Sequence, residues 1–175
     1  MGSTLSVDTI QGATSATSVD LSGVTNLQMP AGSVIQTVQT GTIARTTQTA
    51  TSFTATNYTL SITPKFATSK IKFTYTNHVR VQGSGTPLRG GIQVKRQVSG
   101  GSLITIWNTS ASVESIQVRN ADNEHDTLAA ICLIDSPSTT NATTYTVYTQ
   151  INNGDNFYTF ESGFGGVIVL EEIAQ

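Results

Sequence analysis

The clearest alternation of hydrophobic and polar positions along the chain lies between Lys70 and Val81. Ile71, Phe73 and Tyr75 alternate there with lysines and threonines. Strict alternation over this length is typical of a β-strand that has one buried and one solvated face. Thr144 to Ile151 repeats the pattern. We therefore predict two strands that each form an ordinary wall of the domain, with the core on one side and water on the other.

Two other stretches are apolar without alternation. Leu128 to Ile134 and Val167 to Leu170 carry hydrophobic side chains on both faces, so each predicted strand needs cover on both sides. The domain's own core can cover one face. In a chain of this length we expect the second layer to come from another copy of the chain. The predicted subunit-interface residues are Leu128, Ala130, Cys132, Ile134, Val167 and Val169.

The segment from Thr127 to Ile151 has the plainest hairpin pattern in the chain. Its apolar run is followed by a proline-bearing polar loop and then by the alternating run, which predicts two antiparallel strands joined by the loop. Asn152 to Asp155 has the composition of another hairpin turn. Further strands are predicted at 34–40, 58–62, 92–98, 103–107, 112–118, 157–161 and 167–173, with a hairpin turn at 99–102.

No window shows helical periodicity over three turns. Threonine, which is β-branched and resists helix, is unusually frequent. These patterns predict an all-β protein in which an extended N-terminal arm, residues 1–33, precedes a jelly-roll-like antiparallel β-sandwich of eight to ten strands, residues 34–175. Met29 to Ser33 mark the boundary, because proline and glycine interrupt regular structure there.

The arm is rich in Ser, Thr, Gly and Ala and carries too few hydrophobic side chains to form a core. SerValAsp occurs at 6–8 and again at 18–20, each time with an aliphatic residue one or two positions later and then a glycine. One interpretation is an extended segment that orders only against partners, for particle attachment or trimerisation. The other is a disordered tail. The candidate attachment residues are Leu5, Val7, Ile10, Val19, Leu21, Val24 and Leu27.

Charge and cysteine content narrow the function classes. A net charge of −2 with 11% charged residues provides no basic field for nucleic acid. No apolar run approaches the length of a membrane span, and the N-terminus lacks the pattern of a secretory signal, so we expect synthesis in the cytoplasm. Cys132 is the only cysteine, which excludes a disulfide framework. Because it lies in an apolar run, we interpret it as a small buried hydrophobe.

Candidate chemistry is sparse. Asp122, Glu124 and Asp126 alternate in the most charged segment, which indicates either a calcium site or a solvated loop before a buried strand. Trp107, the lone tryptophan, is either a sheet anchor or a contact for a glycan or receptor. The two histidines lack the spacing of zinc ligands, and no nucleophile motif is present. We therefore predict no enzyme activity, no metal and no cofactor.

Four stretches of the chain carry a family resemblance. The opening MetGlySerThrLeuSerValAspThrIleGln resembles the openings of small structural and tail-fibre proteins of bacteriophages, especially marine and cyanobacterial ones. The segments Leu60 to Ile71, Arg119 to Asn123 and Ile134 to Val147 are similar to a β-sandwich domain that recurs in the same virion proteins. Together these stretches are distributed over most of the chain.

The resemblance implies a non-enzymatic virion component, commonly a homotrimer. Its N-terminal arm would be fixed to other virion proteins of the tail or capsid, and its β domain would point outward, with a host cell-surface glycan as a possible ligand. The resemblance implies no catalytic or cofactor residues. A capsid decoration protein that stabilises the head is the alternative function, and neither function involves nucleic acid or membrane insertion.

Overall fold

The computed structural model describes residues 29–84, 88–108, 116–118, 123–160 and 166–175. These residues form eleven β-strands and no helix. The strands are β1 (Val34–Gln39), β2 (Thr46–Gln48), β3 (Thr54–Ile62), β4 (Lys70–Gln82), β5 (Leu88–Val98), β6 (Leu103–Trp107), β7 (Ile116–Val118), β8 (Glu124–Asp135), β9 (Thr143–Asn153), β10 (Asn156–Thr159) and β11 (Val167–Ile173).

The strands are arranged in two antiparallel sheets. Sheet A has the order β1-β11-β4-β10-β2, and β8 pairs with β4 as well. Because β11 and β10 follow one another along β4, they share one edge of it, and β8 occupies the other edge over nearly its full length. Sheet B has the order β3-β9-β5-β6, with β7 also on β5. The prediction of an all-β antiparallel sandwich is confirmed.

Strand β4 shows how the sequence pattern builds the core. Its side chains alternate without interruption between buried and half-exposed positions from Ile71 to Gln82, as the alternation in the sequence predicts. Residues of both sheets pack against its inner side; the rings of Phe73 on β4 and Tyr145 on β9, for example, lie 5.9 Å apart. Full burial of such a side chain contributes about 1.5–3 kcal/mol. The sandwich therefore depends on apolar residues that face inward from both sheets.

The predicted hairpin from Thr127 to Ile151 is wrong in its pairing. Its first strand, β8, lies in sheet A, and its second, β9, lies between β3 and β5 in sheet B. The loop 136–142 therefore crosses from one sheet to the other. The predicted turn at Asn152 to Asp155 likewise leads from β9 in sheet B to β10 in sheet A, with Gly154 and Asp155 between the two strands. A turn composition shows that the chain reverses, but it does not show whether the next strand pairs or crosses over. The hairpin predicted across 99–102 is confirmed as β5–β6.

A polar cluster at the end of β8 stabilises the place where the chain crosses from sheet A to sheet B. Asp135 accepts hydrogen bonds from Arg96 of β5, with Nη1 2.8 Å from both carboxylate oxygens, and from the Tyr145 hydroxyl at 2.7 Å. Burial raises the pKa of Tyr145, and the hydrogen bond to Asp135 raises it further, so the hydroxyl remains a donor at neutral pH. A carboxylate at the end of sheet A is thus tied to two strands of sheet B.

A second carboxylate, Glu172, is fully buried on β11. It accepts hydrogen bonds from Gln36 Nε2 at 2.6 Å, from the Lys65 amide at 2.8 Å and from the Phe66 amide at 3.1 Å. Burial by itself raises the pKa of Glu172, but the hydrogen bonds to its ionised form more than offset this, so its pKa lies below the ordinary 4.5. Glu172 therefore joins β1, the turn before β4 and β11.

We expect Glu172→Gln to lower the free energy of unfolding by about 2–3 kcal/mol at pH 7, because a buried charged acceptor of several hydrogen bonds is lost. The folded pKa is depressed, so the stabilisation by Glu172 is fully present above pH 4.5 and is lost as pH falls through the folded pKa. Urea denaturation at pH 7 and below pH 4 should show the difference between the two proteins shrinking in acid.

Glu171→Gln is the matched control, because Glu171 is the next residue and its carboxylate contacts Lys72 on the outer side of the sheet. We expect a clearly smaller loss from this change, since exposed ion pairs contribute little. Equal losses from the two substitutions would contradict the role given to Glu172.

Candidate functional site

The outer face of sheet A carries the hydrophobic residues that the sequence assigns to an interface. Along β8 the inner positions alternate with outer positions at Leu128, Ala130, Cys132 and Ile134, and these four are exposed. Leu128 is 66% exposed and Ile134 57% exposed, whereas Ile131 between them is buried in the core. The side chains on the inner face of this run thus pack in or against the core, as predicted. No described part of this chain covers the side chains on its outer face.

Val167 and Val169 of β11 lie on the same outer face. Cross-strand pairing aligns Ala130 with Thr76 and Val167, and it aligns Cys132 with Thr74 and Val169. All six predicted interface residues therefore belong to one surface. On β4, Thr74 and Thr76 lie at its centre, Lys72 lies beside Ile134, and His78 lies beside Leu128. We call this surface the apolar half of the outer face; it comprises Leu128, Ala130, Cys132, Ile134, Val167, Val169, Thr74 and Thr76.

The interpretation of Cys132 as a buried hydrophobe is wrong for the single chain, where the thiol is exposed. The physical reason is the two-residue period of β8, because neighbouring Ile131 and Leu133 take the inward positions. The apolar run shows that Cys132 lies among hydrophobic residues. It does not show to which side of the sheet the thiol points.

Strand β8 is also an edge strand. Within the described residues its only paired neighbour is β4, so the other edge of this 12-residue strand has no main-chain partner there. A long, free edge beside exposed aliphatic side chains is a template for association with another chain. The edge and the apolar half together make this the candidate assembly surface.

The outer face of sheet B has a different chemistry. The hydroxyls of Thr59 and Thr146 are hydrogen-bonded at 2.8 Å, and those of Ser61 and Thr144 at 2.7 Å. Other polar side chains follow along β9. Such cross-strand hydroxyl pairs are typical of a solvated sheet face. Exposed aliphatic residues of this sheet lie at its β6 edge, where Leu103 is 45% and Ile104 47% exposed.

The C-terminal half of β4 carries charge on the outer face. Arg80 donates to Asp126 through Nε at 2.8 Å and Nη2 at 2.7 Å, and to Glu124 through Nη1 at 2.9 Å. The hydrogen bond from Arg80 lowers the pKa of Asp126. Of the proposed calcium ligands, Asp122 lies outside the described residues, and the other two bind this guanidinium. No group of three potential metal ligands lies together among the residues that the structure describes.

Aromatic residues adjoin this ion-pair cluster. Tyr158 is paired with Arg80 across β10 and β4, and the guanidinium of Arg45 lies 5.0 Å from the centre of its ring. A hollow of about 180 Å³ is lined by Arg45, Arg80, Gln82, Tyr158 and Phe160. We call this region the charged half of the outer face. The sequence prediction missed it, because Arg45 and Tyr158 are far apart in the chain and neither belongs to a recognisable motif.

Trp107 lies at the end of β6, opposite Val94 of β5. It is partly buried and packs against the core, a position that favours the interpretation as a sheet anchor. Its role as a glycan or receptor contact stays a prediction. The seven candidate attachment residues of the arm, from Leu5 to Leu27, lie outside the described residues.

The described residues contain no helix that is long and apolar enough to cross a membrane. No protein-family model matches this chain, and the search of curated proteins found no match either.

The two arginines of the charged half should differ in their effect on stability. We expect Arg80→Gln to lower the free energy of unfolding by about 1 kcal/mol, the upper range for partly exposed ion pairs, because it leaves two carboxylates without their shared cation. Arg45→Gln should leave stability unchanged, since Arg45 makes no ion pair with a described residue. Urea denaturation at low and high salt measures the free energy of unfolding of both variants. A larger loss from Arg45→Gln than from Arg80→Gln would contradict the roles given to the two arginines.

Proposed function

We propose that this chain is a non-enzymatic structural protein of a virion, assembled as a homotrimer through the outer face of sheet A. Its N-terminal arm anchors it to the particle, and its β domain points outward. The observation that carries the proposal is the apolar half, where Leu128, Ala130, Cys132 and Ile134 are exposed along a β8 edge that has no partner among the described residues, and where the half-exposed Val167 and Val169 lie across β4. The trimeric state and the virion context come from the family resemblance.

The chemistry of this surface favours association with protein rather than with water. Leu128 and Ile134 expose most of their side chains, and fully buried centres of subunit interfaces are enriched in such apolar groups. Association would remove these side chains from water, which stabilises a complex by about 25 cal/mol per Å² of apolar surface buried. It would also give the edge of β8 a neighbour.

The ends of the sheet suggest an orientation on the particle. The Gly32 amide donates to the Ala174 carbonyl at 2.9 Å, so the chain leaves the arm beside the end of β11. Val34 pairs with Ile173, which pairs with Lys70 at the start of β4. The charged half lies at the opposite end of β4, near Gln82. An anchored arm would therefore direct the charged half away from the particle.

Replacing Leu128 and Ile134 together by serine should dissociate the trimer, because both side chains leave the proposed interface. We expect the trimer of the unmodified chain in sedimentation velocity and a smaller species for the double variant, with an unchanged β-sheet spectrum. The matched control replaces Leu103 and Ile104, which are comparably exposed on sheet B, and should remain trimeric.

The sole cysteine provides a second readout of the same interface. Cys132 lies within the apolar half, so a thiol reagent should label it slowly in the native trimer and rapidly in the Leu128→Ser, Ile134→Ser variant. A monomeric unmodified chain with a freely reactive thiol would contradict assembly through this face. So would equal dissociation of the sheet B control.

Deletion of residues 1–28 tests the proposed anchor. We expect the shortened chain to fold and to assemble through sheet A but to be missing from purified virions, because the arm supplies the attachment. Immunoblots of virions compare it with the full chain, and normal incorporation would contradict the proposal. Cryo-electron microscopy of virions with the full chain then distinguishes a fibre from a decoration of the capsid lattice.

A further inference from the structure

The charged half contains one arginine, Arg45, that no described residue neutralises. Arg80 is held by Asp126 and Glu124, whereas Arg45 makes no ion pair with any residue in the described ranges. Arg45 is exposed and stacks over Tyr158 at 5.0 Å from the ring centre. Stacking leaves the N–H edge of a guanidinium free, and that edge matches the two oxygens of a carboxylate. Arg45 is thus placed to receive an anion from solution.

Two hollows meet at Gln82 beside this arginine. The hollow of about 180 Å³ contains Arg45 and Tyr158. The second, of about 360 Å³, is lined by Gln82, Gly83, Ser84, Asn123, Asp155 and Asn156. The Tyr158 hydroxyl donates to Gln82 Oε1 at 2.9 Å, which leaves the Gln82 amide nitrogen as a donor toward a ligand. The pair of hollows therefore offers one arginine, Arg45, without a carboxylate partner among the described residues, together with an aromatic wall and a row of amide, hydroxyl and carboxylate groups.

We infer that this pair of hollows binds an acidic saccharide, with the carboxylate of a sugar on Arg45 and neighbouring sugar hydroxyls on Gln82 and the polar groups of the second hollow. Amide and carboxylate side chains suit hydroxyl groups, which both donate and accept hydrogen bonds. The second hollow is lined by no apolar side chain that would accommodate a hydrophobic residue of a peptide. This chemistry favours a saccharide over an acidic peptide.

The charges around the two hollows also set the direction of binding. Asp155 in the second hollow would repel an acidic group there, and Glu124 and Asp126 leave no excess positive charge at Arg80. The anionic group is therefore favoured at Arg45, with the uncharged hydroxyls toward Asp155. The inference deepens the proposed function, on which its biological role rests, because it names a ligand for the end of the domain that would point away from the particle.

The test is isothermal titration of the full chain with trigalacturonate, with maltotriose as the neutral saccharide and triglutamate as the acidic peptide. We expect binding of trigalacturonate alone. Arg45→Gln should weaken it by about tenfold or more, since a bidentate, charge-assisted contact is lost. Lys65→Gln, which removes the same charge from an exposed residue outside the hollows, should leave it unchanged. Tyr158→Phe keeps the ring and removes the hydroxyl contact to Gln82, and should weaken binding less than Arg45→Gln.

Several results would overturn the inference. These are the absence of trigalacturonate binding, equal binding of maltotriose or triglutamate, and equal weakening by Arg45→Gln and Lys65→Gln. The Leu128→Ser, Ile134→Ser variant separates the two proposals, because it tests assembly without altering either hollow. Loss of saccharide binding with an intact trimer would refute only the ligand, and saccharide binding by a monomeric unmodified chain would refute only the assembly.

Discussion

The rest of the structure depends on the unbroken alternation of β4. Its inner side chains supply the centre of the core, and its two edges carry β8 on one side and β11 followed by β10 on the other. Because a shift of one residue would turn every side chain to the opposite face, this register determines the outer face as well. Thr74 and Thr76 separate the aliphatic residues of β8 and β11, and Arg80 and Gln82 organise the charged half.

One partly buried carboxylate, Asp135, and one fully buried carboxylate, Glu172, connect strands in addition to the contacts of the hydrophobic core. Asp135 connects the end of β8 to sheet B through Arg96 and Tyr145, and Glu172 connects β11 to β1 and to the turn before β4. A buried carboxylate is costly unless hydrogen bonds satisfy it. Each of the two therefore favours one specific arrangement of strands, where hydrophobic contacts alone would tolerate several.

The outer face of sheet A is mainly apolar toward one end of β4 and charged toward the other. The apolar half lies toward the end where the chain enters from the arm, and the charged half lies toward Gln82. The proposals for assembly and for ligand binding thus use different parts of one sheet. Sheet B presents paired hydroxyls instead, which suits exposure to water.

The sequence by itself determined the fold class, most strand positions and the set of residues proposed for an interface. Side-chain period is a local property, so the alternation in β4 and the doubly apolar run in β8 can be read directly. Pairing is not local: β8 and β9 were predicted as a hairpin, and only the tertiary structure placed them in different sheets. The side to which Cys132 points and the meeting of Arg45 with Tyr158 were decided in the same way, because each depends on which distant strands the core brings together.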